Sequence, residues 1–302
     1  MKVVYGHTDS IYVQIDSEGS LEEKVNKSKE IAEMIQDEVR KAFPNVLGLE
    51  QHPVVLEFEK FFSALGVGTT KNRNAGMIGW EDGVFLEEEK FTMTGFTAKR
   101  VSETKLAKSI QTDALKMWVN NKSQKEMIGH LNKIYTDVRN GNVELSSLIK
   151  RTRIKENRFV VRCRECKKKY HVKECFKLDY CSKCGEDTSK FVTVEWKKPS
   201  FGSGVAGVLY CWEHLNQTFD DSYLFLKVKH LPNTFTHPLT KEQKVAEYIS
   251  GITYADFEEY VPDYEHYAEQ VLSKADPIFR AMGWDLSSIR TGRIQQSLEE
   301  WF

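Results

Sequence analysis

Four cysteines stand in two pairs, Cys163-x2-Cys166 and Cys181-x2-Cys184, with fourteen residues between the pairs. Two residues between ligands let the backbone turn back, so each pair grips one face of a tetrahedral ion. Four thiolates then close the shell, the arrangement of a structural rather than a catalytic zinc site. Gly185, directly after the last cysteine, permits the tight turn this requires. His171 and Cys175 lie between the pairs and are alternative ligands, whereas Cys211 reads as a core residue. A second candidate sits at the start of the chain. Val3-Val4-Tyr5 and Ile11-Tyr12-Val13 flank Gly6-His7-Thr8-Asp9-Ser10, the pattern of a hairpin with polar residues at its tip. A carboxylate there reaches beyond a sheet while both strands anchor it, which suits a hard divalent cation. Taken alone, Asp9 reads better as a turn-forming Asx residue, which is common at hairpin tips.

The elements that must position these residues follow from periodicity and punctuation. Residues 1–16 read as the hairpin. Residues 21–43 read as a helix from the recurrence of Ile31, Met34, Ile35 and Val39, ended by Pro44. Strands are expected over 54–62, 65–69, 76–80 and 91–98. Helices are expected over 102–119, where Ser102-Glu103 suits a helix start, and over 122–139, 240–251 and 264–282. Residues 159–196 form a cysteine-bearing island of short strands, and the glycine-containing stretch 201–208 reads as a loop. The 302 residues are 40% hydrophobic and 29% charged with net charge −1, so charge alone does not announce a nucleic-acid binder. Its distribution is uneven, with eleven Lys or Arg between 150 and 173 against Glu156 and Glu165. That basic flank either meets phosphates electrostatically or is the solvated face of a structural insert. No run approaches the ~18 apolar residues of a membrane span, and no signal peptide is present. A reducing compartment is therefore expected, where cysteines ligate metal rather than form disulfides.

Three stretches, in order, resemble the C-terminal half of a family B DNA polymerase. Tyr5-Gly6-His7-Thr8-Asp9-Ser10 is similar to the family's Tyr-Gly-Asp-Thr-Asp-Ser hairpin in the palm. Leu56-Glu57-Phe58-Glu59-Lys60, followed by Thr70-Lys71-Asn72-Arg73-Asn74-Ala75-Gly76, resembles the family's Leu-Glu-Phe-Glu-Lys strand and Thr-Lys-Lys-Arg-Tyr-Ala-Gly turn. Thr94-Gly95-Phe96, Lys99-Arg100 and Leu106-Ala107-Lys108-Ser109-Ile110-Gln111 resemble the passage from palm to thumb. Residues 264–283 resemble the last thumb helix of archaeal-type members. The resemblance implies an α+β fold: a partial palm of antiparallel sheet with helices, then a mostly helical thumb with an inserted zinc ribbon. The implied domains are palm over 1–100, thumb over 101–158 and 197–286, ribbon over 159–196 and a tail over 287–302.

The same resemblance implies that Asp9 bridges catalytic Mg²⁺, or Mn²⁺, together with an Asp from another chain. Lys71, Arg73, Lys99 and Arg100 would contact primer–template DNA, and Zn²⁺ would be structural. His7 stands where the family has Asp, which removes one negative charge beside the metals and implies weakened or retuned activity rather than none. The exonuclease, the fingers and the other catalytic-Asp strand are missing, so a small subunit of a split polymerase, inactive alone, is expected. The alternative is a catalytically impaired scaffold that binds DNA and the sliding clamp. Gln295, Leu298, Trp301 and Phe302 match the clamp-binding pattern, in which one helical turn presents an aliphatic and two aromatics to a hydrophobic pocket. The expected partners are thus the large subunit, DNA and the clamp, with no membrane, in the nucleoid-associated cytoplasm.

Overall fold

The structure, a computed structural model, describes residues 1–294 apart from positions 8, 9, 17, 47, 69, 71 and 101; for His7 and Glu156 it describes the backbone alone. Among the described residues no helix is long and apolar enough to cross a membrane. The chain forms two compact units. One comprises residues 1–96, 112–127 and 277–284, and the other comprises 97–111, 128–276 and the segment from 285 onward.

In chain order the elements are β1 (Lys2–His7), β2 (Ser10–Gln14), α1 (Leu21–Ala42), β3 (Lys60–Val67), β4 (Asn74–Glu81), β5 (Val84–Thr94), α2 (Lys105–Val119) and α3 (Gln124–Arg139). There follow α4 (Leu145–Leu148), β6 (Lys150–Arg153), α5 (Glu156–Phe159), β7 (Val160–Arg162), β8 (Lys169–His171), α6 (Val172–Cys175), β9 (Val192–Thr193) and α7 (Ser203–His214). The last are β10 (Ser222–Lys227), β11 (Thr234–Thr236), β12 (Gln243–Val245), β13 (Tyr248–Gly251), α8 (Tyr264–Met282) and α9 (Ser288–Thr291). The fold is mixed α and β, and its sheets are antiparallel.

In the first unit β1 and β2 form a two-stranded hairpin, and β3-β4-β5 form a meander with β4 at its centre. β4 is buried along nearly its whole length because neighbours cover both of its edges and both faces. Asp82 and Gly83, at φ +48° and +91°, make the two-residue turn from β4 to β5, a signal the Asp-Gly pair carries in sequence. Tyr12 of the hairpin lies 5.9 Å from the Phe62 ring of β3, and Tyr5 lies 5.4 Å from Tyr12. α1 begins at a capping box, in which Ser20 Oγ accepts from the Glu23 N–H and Glu23 Oε2 accepts from the Ser20 N–H. Only Val25 and Ser28 of its 22 residues are buried. Of the expected strand 54–62 only 60–62 is strand, joined with 65–67 of the expected strand 65–69 in the single strand β3, which pairs with β4 along its length; residues 54–59 are not strand.

In the second unit α7 lies on the sheet β13-β10-β6. The expected loop over 201–208 is the start of this helix. Gly204 and Gly207 are there for close approach: a Cβ on Gly204 would stand 2.8 Å from the Tyr223 and Phe225 rings, and one on Gly207 2.5 Å from Ser250 Oγ. Phe159, Val205, Val208 and Tyr223 make a buried cluster at this contact. Cys211 is a core residue, as expected, and its thiol donates to the Ser250 carbonyl. Residues 240–251, expected to be helical, form β12 and β13, because pairing of Tyr248–Gly251 with β10 overrides local propensity. α2 is capped by Thr104 rather than Ser102: Thr104 Oγ1, fully buried, accepts from the Ala107 N–H at 3.0 Å.

Candidate functional site

The four cysteines of the two pairs converge. Every pair of sulfurs lies within 4.8 Å, with Cys163 and Cys184 at 3.5 Å and Cys166 and Cys181 at 3.4 Å. A tetrahedral zinc with bonds of about 2.3 Å needs sulfurs roughly 3.8 Å apart, so the donor set fits that ion. Two backbone knuckles of the same design build the site. In the first, the Lys167 N–H donates to the Cys163 carbonyl and the Cys163 N–H to the Lys168 carbonyl. In the second, the Gly185 N–H donates to the Cys181 carbonyl and the Cys181 N–H to the Glu186 carbonyl. Each turn closes on a left-handed residue, Lys167 at φ +63° and Gly185 at φ +77°. His171 and Cys175 are not part of the cluster; the Cys175 thiol is buried and points to the His171 carbonyl.

The electrostatics of the Cys163, Cys181 and Cys184 thiols favour a cation. Burial pushes the Cys181 thiol up, but hydrogen bonds from the Tyr170 hydroxyl and the Lys183 and Cys184 backbone bring it down to about 6. At Cys184 the Glu186 backbone lowers the value, yet desolvation and the thiols of Cys163, Cys166 and Cys181 outweigh it and push it up to about 12. Burial likewise raises Cys163. The Cys181 thiolate thus forms readily while the Cys163 and Cys184 thiols resist joining it, since like charges at this spacing repel; a dication would remove the conflict. Tyr170 is a residue of this site that sequence reasoning missed. Its hydroxyl lies 3.1 Å from Cys181 Sγ and accepts from the Ser182 N–H at 2.9 Å, so it orients a ligand from the second layer. The signal available was strand alternation, which places Tyr170 opposite Val161 on the inner face of the small sheet β8-β7-β9.

At the other end of the chain, the β1–β2 ladder is described up to the pair His7–Ser10. Asp9 and Lys71 lie outside the described residues, as does the tail with Gln295, Leu298, Trp301 and Phe302. The structure does join the hairpin to the turn between β3 and β4. Tyr5 Oη donates to Asn72 Oδ1 at 3.3 Å and accepts from the Asn72 N–H at 2.9 Å. Asn72 has φ +62°, a left-handed conformation that Asn accepts more readily than most residues, which gives its presence here a backbone reason. The next residue, Arg73, is half-buried, and its carbonyl accepts from the Gly68 N–H to close the turn. Lys99 and Arg100 belong to the second unit, are exposed, and make no ion pair among the described residues.

Fold and thiol cluster together define a mixed α and β protein with a four-cysteine cluster whose geometry is compatible with a ribbon-type zinc site. Residues 1–282 match DNA polymerase family B, and the chain belongs to this family. Among solved structures it is similar to the family B DNA polymerase from the hyperthermophilic archaeon Pyrobaculum calidifontis, at 13% identity and a TM-score of 0.45. That alignment covers 82% of this chain and 24% of the other, so the chain spans about a quarter of the length of that polymerase. No curated protein matches it.

Proposed function

We propose that the chain is the palm-and-thumb part of a split family B DNA polymerase, acting with a larger chain that carries the exonuclease, the fingers and the remaining palm strand. The observation that carries this reading is the double hydrogen bond between Tyr5 and Asn72, which ties the Asp9 hairpin to the turn bearing Lys71 and Arg73. In a polymerase these two segments must act on the same primer end. Asp9 supplies a hard oxygen ligand beside it. A pair of Mg²⁺ or Mn²⁺ ions held there would stabilise the attacking and leaving oxygens of an in-line displacement. Lys71, Arg73, Lys99 and Arg100 hold the primer–template backbone without reading sequence. The proposed palm covers 1–100, the thumb 101–158 and 197–286, the ribbon with structural zinc 159–196, and the tail 287–302 engages the sliding clamp through Gln295, Leu298, Trp301 and Phe302. The site of action is the nucleoid-associated cytoplasm.

Support for a partner chain comes from the first unit itself. Val3, Val4 and Ile11 of the hairpin and Met34 of α1 are exposed apolar side chains, and α1 buries few of its own. A second reading rests on His7, which replaces a carboxylate by an imidazole: a scaffold subunit that binds DNA and clamp without catalysis. Primer extension by the chain co-purified with its larger partner, in Mg²⁺ and in Mn²⁺, separates the two. The polymerase reading expects wild type and His7→Asp to extend, and Asp9→Ala to fall to background. Extension by His7→Asp with a silent wild type in both metals establishes the scaffold. Extension that ignores Asp9→Ala refutes the assignment of the hairpin.

A further inference from the structure

The small sheet of the ribbon has two unlike faces. Val161 and Tyr170, paired across β7 and β8, are buried on the inner one. On the outer one Arg162 stands opposite Lys169, and His171 lies two residues further along β8. Neither Arg162 nor Lys169 has a carboxylate partner among the described residues. The Arg162 guanidinium instead lies over the ring of Trp196, 5.1 Å from its centroid, and its Nε is buried there without a hydrogen-bond partner. Trp196 sits at the tip of a tight turn, in which the Thr193 N–H donates to the Lys197 carbonyl and the Trp196 N–H to the Thr193 carbonyl. The one acid in this turn, Glu195, is paired with Lys197 at 3.1 Å.

Two properties of Trp196 conflict with a packing role. The residue is 49% exposed, so about half of its surface stays open to solvent. Its φ is +64°, a left-handed conformation that is an outlier for a bulky side chain and that Gly would adopt without strain. A strained, exposed indole stacked with an unpaired guanidinium beside an unpaired ammonium is poor local chemistry. It is good chemistry for a ligand that offers a flat π face and flanking anions together.

We propose that this outer face binds single-stranded nucleic acid, with Trp196 stacking a base and Arg162 and Lys169 meeting the adjacent phosphates. A duplex hides its base faces and cannot use the indole; an acidic peptide would use the cations alone. The proposal is independent of whether the chain takes part in catalysis, because it concerns the ribbon and is read by binding.

The test is fluorescence anisotropy of the zinc-loaded full chain with labelled oligo-deoxythymidine, oligouridine and a duplex of equal length, and with poly-glutamate as competitor. Trp196→Gly is the informative variant, since the turn geometry suits Gly: zinc content is expected to stay unchanged and melting temperature to stay level or rise. Its affinity for the single strand is expected to fall about 5- to 150-fold, the effect of losing one stacked base, with duplex binding little changed. Trp196→Phe should retain most of the affinity. Arg162→Gln with Lys169→Gln should reduce the salt slope of single-strand binding by about 1.4, from two phosphate contacts at about 0.7 each. Stronger binding of oligo-deoxythymidine than of oligouridine, or the reverse, identifies which strand is preferred, and either supports the site. Wild-type affinity in Trp196→Gly, equal losses for strand and duplex, loss of zinc in that variant, or competition by poly-glutamate as strong as by the strand overturns it.

Discussion

Gly95 is where the joint between hairpin and basic turn can be tested through the backbone alone. It follows β5 at φ +75°, and a Cβ built there would stand 1.8 Å from the Asn72 carbonyl oxygen. To reach ordinary contact at 3.4 Å, that carbonyl must withdraw by about 1.6 Å. Asn72 cannot do so and keep both bonds to Tyr5. Gly95→Ala therefore adds two costs: about 1–2 kcal/mol for a left-handed L-residue, and about 1–3 kcal/mol for forcing backbone apart. The total of about 2–5 kcal/mol corresponds to amide exchange accelerated roughly 30- to several-thousand-fold in the sheet β3-β4-β5. Gly83→Ala is the matched control, because Gly83 has φ +91° but nothing within 4 Å of its added Cβ. It bears the conformational cost alone, an acceleration of about 5- to 30-fold. Hydrogen–deuterium exchange with mass spectrometry reads both variants segment by segment, with the ribbon as internal reference. Equal acceleration in the two variants would show that Asn72 does not press on Gly95, and the account of the joint fails.

Other outcomes follow from the two units separately. Chelation should release one zinc per chain and erase exchange protection over 159–196 while β3-β4-β5 keeps its own, because strands of two or three residues cannot hold the ribbon without metal. Iodoacetamide should then label the four ligand cysteines but neither Cys175 nor Cys211, both buried and raised to about 11 chiefly by burial; persistent protection after zinc loss counts against a structural metal. Burial pushes the Glu103 carboxyl up, but hydrogen bonding and charge from Lys274 and the charge of Lys150 outweigh it and hold it below its ordinary value of 4.5. A depressed carboxyl stabilises the fold above that value and loses its contribution as pH falls through its folded value. The melting-temperature gap between wild type and Glu103→Gln should therefore be open at pH 7 and close as acid is added below about 4.5; a gap independent of pH refutes the pairing.

The parts of the fold legible in sequence are those set by local rules. α8 follows its apolar period from Tyr264 to Met282, and α1 starts at a capping Ser and stops before Pro44. The thiol cluster was legible for the same reason, since two-residue spacing is itself a turn geometry. What failed depended on distant partners. Gly204 and Gly207 look like loop residues until Tyr223, Phe225 and Ser250 are seen against them. Residues 240–251 carry no strand period of their own, and β13 exists because β10 is there to pair with it. Tyr170 and Trp196 were missed because their roles come from strand register and a left-handed turn, neither of which leaves a motif.

The two knuckles are twins in hydrogen bonding but not in ease. Gly185 occupies its left-handed position freely, whereas Lys167 is held in the same conformation at a penalty of roughly 1–2 kcal/mol. An ion held there would clasp one relaxed jaw and one sprung jaw. On its loss the half containing Cys163 and Cys166 would be driven to open, while the half containing Cys181 and Cys184 would stay shaped to receive the next ion. Reloading would thereby be biased to begin at the second pair.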